Sequence, residues 1–193
     1  MTTTVGNVVK KVHSIIDGIR NKYGYKWTDF IRVIHIADTD GAFSKNSVIK
    51  SDAEEILYFE DHIESANVAT TEQRNKHKSE IMHRLSSTGR VHGITYSLYF
   101  NSCNLEHVLY KELKNFSDEE KEDMADDFAE EYDGKVDEFV NFISNEELAV
   151  PGSFNETWKF IEKDNHSLER HSNMHLIFWQ EVVCSPSSIQ KNN

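Results

Sequence analysis

The chain has 193 residues, 38% hydrophobic and 28% charged, with a formal net charge of −12. A chain of that size buries a core without disulfide staples, as one domain or one domain plus a small helical extension. The acidic balance excludes a passive, charge-driven nucleic-acid coat and discourages contact with anionic membrane, although a basic patch or a metal can still bridge two anions.

Val5 to Tyr23 predicts an amphipathic helix, with Val5, Val8, Val9, Val12, Ile15, Ile16 and Ile19 at three- and four-residue steps and Gly24 in the capping position. Nothing here reads as a signal peptide, and no apolar run reaches the roughly 20 residues of a membrane span, so a cytoplasmic protein is expected. Phe30 to Ala37 (FIRVIHIA) reads as a strand buried on both faces. A second extended stretch is expected at Glu55 to Phe59. Residues 71–87 predict a polar helix burying Ile81, Met82 and Leu85. Gly93 opens a third strand, Ile94 to Phe100.

Helices follow. Leu105 to Leu113 is one, and Ser117 with Glu120 is a capping box opening another that runs to about Tyr132. Val136 to Phe142 is a third. Asn145 to Ser153, with Pro151-Gly152, reads as a linker, and Phe154 to Lys163 and Ser167 to Trp179 as closing helices. The expected organisation is an α/β core over 1–113, a helical extension packed on it over 114–184, and a mobile tail over 185–193. Helices between strands imply a small, partly parallel sheet, whose ligands sit beyond the carboxyl ends of the strands.

Asp38-Thr39-Asp40-Gly41 lies at such an end. Carboxylates two apart on an extended chain project to the same side, and they repel unless a cation or a proton lies between them. Hard oxygen donors suit Mg2+ or Mn2+, which take one or two carboxylates plus substrate phosphates. A plain Asp-Gly turn is the competing reading. Asn101-Ser102-Cys103-Asn104-Leu105-Glu106-His107 follows the third strand, so Glu106 is a candidate third acid and His107 a candidate proton carrier. The same residues also read as a capped helix start, with Asn104 or Ser102 as cap.

Other chemistry has less support. The ten histidines are scattered, and His171 and His175, four apart, lack an HExxH context. Cys103 and Cys184 read as reduced thiols, and nothing orients Cys103 toward His107 as a nucleophile. Residues 117–133 hold ten acids against one lysine. Such a run is usually a solvated face, and more sharply a surface imitating phosphate spacing.

Asp38-Thr39-Asp40 joined to Asn104-Leu105-Glu106 resembles the Toprim superfamily of metal-dependent nucleases and topoisomerase-primase domains, and within it RloB-like proteins of restriction and phage-defence loci. The resemblance spans roughly residues 28–113. It implies Asp38 and Asp40 as metal ligands, Glu106 and His107 as assisting groups, and Mg2+ or Mn2+ as cofactor. Nucleic acid would be contacted through the metal, with a protein partner in a defence complex. The family's opening strand ending in glutamate has no counterpart, since the first glutamate here is Glu54. The resemblance therefore implies a divalent-metal-dependent nuclease-like protein. The alternatives are a non-catalytic acidic interaction protein or inhibitor, as a degenerate Toprim-like domain or nucleic-acid mimic, and a structural subunit of a larger complex.

Overall fold

The computed structural model describes residues 2–178. Helix α1 (Val8–Tyr23) buries Val8, Val12 and Ile16 on one stripe and ends at Gly24, whose φ of 71° lets its N–H reach the Arg20 carbonyl. Residues 5–7 form a turn, so the helix starts three residues later than the apolar spacing suggests. Strand β1 (Arg32–Asp38) follows, then β2 (Val48–Lys50), β3 (Leu57–Tyr58) and β4 (Ile63–Ser65). Helix α2 (Val68–Ser86) is capped by the Asn67 carboxamide, which accepts from Thr70 N at 3.0 Å. Strands β5 (Arg90–Val91) and β6 (Ile94–Asn101) come next.

The strands form two small sheets. One has the order β1-β6-β5, with β1 and β6 parallel and β5 antiparallel to β6. The other has the order β2-β4-β3, again with one parallel pair. Flanked by helices, this is the expected α/β class with a partly parallel sheet. The β1–β6 register sets Asp38 opposite Asn101, so the two loops that carry the candidate site residues leave the sheet side by side.

The expectation that β1 is buried on both faces is overturned. Val33, His35 and Ala37 turn toward the helices, while Ile34 and Ile36 are 39% and 43% exposed. The cause is topological: among the described residues β1 is an edge strand, paired with β6 alone.

Helix α3 (Leu105–Tyr110) is shorter than expected, because Lys111 adopts a left-handed cap with φ of 63°. Helix α4 (Asp118–Glu131) opens with the expected capping box, Ser117 with Glu120, and α5 (Val136–Ile143) follows. Helix α6 is Phe154–Ile161. The expected linker at 145–153 is instead partly core. Leu148 and Val150 are buried, and Ala149 and Ser172 form a bridge. The helix expected from Ser167 is also absent among the described residues up to 175; that stretch is a run of turns with Ser172 bridged to Asn101 as well. Trp179, Cys184 and the tail from Ser185 lie outside the described residues. No helix among the described residues is long and apolar enough to cross a membrane.

One core joins the sheet to the later helices. Val12, Met82, Leu85, Tyr96, Leu98 and Phe100 pack with Val150, Trp158 and Ile161. Trp158 Nε1 donates to the Leu98 carbonyl at 3.2 Å, closing the side of β6 that β5 is too short to cover. A second cluster, Val48, Ile63, Cys103 and Leu168, lies beneath the loop after β1.

Candidate functional site

The loop after β1 is clamped from three directions. Thr39 is fully buried; its N–H donates to the Asn101 carbonyl at 2.9 Å and its hydroxyl to the Ser167 carbonyl at 2.8 Å, while it accepts from Cys103 N at 2.8 Å. Asp40 N donates to the Cys103 carbonyl at 2.8 Å. Asp40 itself is left-handed, with φ of 47°, a conformation Asp tolerates. Gly41 is also left-handed, and a Cβ there would lie 2.6 Å from Leu168 Cδ2 and 2.8 Å from Ile63 Cδ1. Sequence, turn and packing agree: the Asp-Gly turn is real, and it fixes two carboxylates at a strand end.

Asp38, Asp40 and Glu106 line one cavity of about 310 Å³. Asp38 has a perturbed pKa. Burial raises its pKa to about 6, with Asp40 and Glu106 pushing the same way, against the Asn101 hydrogen bond and Lys78. Asn101 Nδ2 donates to Asp38 Oδ1 at 3.3 Å. Asp40 Oδ2 is ion-paired with the Lys78 ammonium. Glu106 has no hydrogen-bond or ion-pair partner among the described residues. Its backbone lies in the first turn of α3, which Asn104 caps by accepting from His107 N at 2.8 Å. Cap and candidate site thus coexist.

His107 lies elsewhere. It is 2% exposed and does not line this cavity. Its Nε2 is 3.6 Å from Glu60, its Nδ1 has no hydrogen-bond partner among the described residues, and burial lowers its pKa. Arg170 donates to the carbonyls of His107 and Val108 and ties α3 to the later chain. His171 pairs with Glu169 at 3.2 Å in a bend, and His171 and His175 do not share a helix, since the helix expected from Ser167 does not form there. Cys103 is fully buried, and burial pushes its thiol up to about 12, which leaves no thiolate near neutral pH.

Several site residues carry no sequence signal. Arg74 Nη1 donates to the Tyr58 hydroxyl at 2.9 Å and Nη2 to the Asp40 carbonyl at 3.3 Å. Arg74 and Lys78 are one helical turn apart on α2, a spacing any polar helix contains. Glu55, Lys114, Asn115 and Lys121 complete the cavity wall.

Among the described residues, no three His, Cys, Asp or Glu side chains converge closely enough to cage a metal ion. The carboxylates do not fit a closed structural site. They fit an open one, in which one or two protein oxygens hold a hard cation and water or substrate supplies the rest. No family model, curated protein or solved structure matches the chain.

Proposed function

We propose that the Asp38–Asp40–Glu106 cavity is a Mg2+ or Mn2+ site for phosphodiester chemistry of the Toprim type, in a nuclease-like protein of the defence setting that the resemblance implies. The observation that carries this reading is that three carboxylates, one of them remote in sequence, line one open cavity, with a half-buried Asp38 whose pKa is raised. Carboxylates crowded in this way are relieved by a cation.

A divalent ion bound there would polarise a phosphoryl oxygen and lower the pKa of water. The chain's own residues divide the remaining work. Asp38 and Asp40 hold the ion, and Asn101 fixes the orientation of Asp38. Lys78 neutralises Asp40 while no ion is bound. Glu106, without a partner among the described residues, is free to accept a proton at its carboxylate. His107 acts behind the cavity, by holding the start of α3 in place.

The test is cleavage of labelled DNA and RNA in Mn2+ by wild type and Asp40→Asn. Asparagine also tolerates the left-handed backbone at this position. Loss of cleavage with an intact fold is expected, and cleavage that persists in the variant counts against the reading.

One observation favours a second reading. Helix α4 has no buried residue, and its acids face solvent. As a phosphate-spaced surface it would bind a basic protein partner, weakened by salt. Charge reversal at Glu119, Asp123, Asp126 and Glu130 without loss of binding would remove that reading.

A further inference from the structure

The cavity has a second wall of opposite charge. Lys114 and Lys121 face the same 310 Å³ space as Asp38, Asp40 and Glu106. Lys114 is held from two sides, 3.1 Å from Glu120 and over the Phe116 ring at 4.5 Å. Lys121 forms no ion pair with a described residue. Both belong to the segment that opens α4, outside the part of the chain that resembles Toprim domains.

Acidic and basic walls that share a small cavity would be expected to close onto each other. No ion pair joins these two walls among the described residues. The gap suits an occupant with alternating charge: a cation against the carboxylates, and a phosphate between that cation and the lysines. Its volume is at the small end of ligand pockets, which run from about 300 to 1,000 Å³. The approach is acidic, because α4 carries Asp118, Glu119, Glu122 and Asp123 on exposed positions beside Lys121. A long phosphate backbone lying across α4 is repelled. A single phosphate entering the cavity is not.

Resting on the metal reading above, we infer that Lys114 and Lys121 hold the phosphate of a terminal nucleotide unit, and that the site takes a strand end rather than an internal stretch or a duplex. A free mononucleotide offers the same chemistry as the end of a single strand.

Fluorescence anisotropy tests this, with Ca2+ added to allow binding without turnover. The probe is an internally labelled single-stranded oligonucleotide phosphorylated at both ends, and the competitors are a circular single strand and a mononucleotide. The linear strand is expected to bind at least tenfold more tightly than the circle. Lys114→Ala with Lys121→Ala is expected to weaken linear binding about tenfold while leaving the melting shift induced by Mn2+ unchanged. Displacement by the mononucleotide supports the inference and assigns the free nucleotide as sufficient. Equal binding of circle and line overturns it, as does undiminished binding by the double variant. A wild type with no Mn2+ shift overturns the metal reading itself, which separates the two failures.

Discussion

Asp38 and Asn101 end adjacent parallel strands in register, and the carboxamide of Asn101 donates to Asp38 Oδ1 at 3.3 Å. A half-buried carboxylate thus has one neutral donor as its hydrogen-bond partner and two acids nearby. Desolvation, with Asp40 and Glu106, outweighs that hydrogen bond and shifts Asp38 toward the protonated form.

Asp38→Asn is therefore expected to stabilise the metal-free protein at pH 7, by about 1–3 kcal/mol from the raised pKa. Urea unfolding in a chelator measures it. A destabilised variant would mean that the buried charge is compensated by something other than a metal.

Stability should also depend on pH in a direction set by histidine. His35, His107, His171 and His175 all have pKa values lowered by burial from the ordinary 6.5. Protonation favours the unfolded chain for each, so their contribution is intact above pH 6.5 and lost as pH falls toward the folded values. Asp38 has the opposite sign: its penalty is fully present above about pH 6 and eases as it protonates. The four histidines lower the melting temperature from pH 7 to pH 5, and Asp38 opposes that fall. His107→Gln should flatten that fall and Asp38→Asn should steepen it. Identical slopes in all three proteins would contradict the assignment.

Gly41→Ala tests the clamp on the loop. The added Cβ meets Leu168 and Ile63 below 3 Å, at a backbone φ of 65°. Overpacking and the left-handed backbone together should cost about 2–4 kcal/mol, read from the urea midpoint. An unchanged midpoint would show that the loop relaxes freely.

Much of this arrangement was legible in the residues. Asp38, Asp40 and Glu106 could be read as acids at strand and helix ends, because β1 and β6 have apolar, β-branched runs long enough to show a period. Strands β2 and β4, three residues each, have no period to read. Nor did the sequence disclose that β1 is an edge strand, since Ile34 and Ile36 look like core in any composition. Pro151-Gly152 marked a loop correctly, but the burial of Leu148 and Val150 comes from tertiary contact. Lys121 lies inside a long acidic run and Lys114 just before it, so the run masks both, and the fold brings them opposite Asp38.

Lys78 is ion-paired with Asp40. Both side chains are about one-third exposed, so Lys78→Met should cost less than about 1 kcal/mol of stability. It should enlarge the melting shift produced by Mn2+, because Asp40 loses its competing cation. A smaller shift would make Lys78 a partner of the bound state instead.

The most direct measurement is thermal unfolding with and without millimolar Mn2+, on wild type, Asp38→Asn and Asp40→Asn. A ligand at about 100 times its dissociation constant stabilises the native state by about 2.7 kcal/mol, which a melt resolves. The expected result is a shift in wild type that disappears in both variants. No shift in wild type, or an equal shift in all three, would contradict a metal at Asp38 and Asp40.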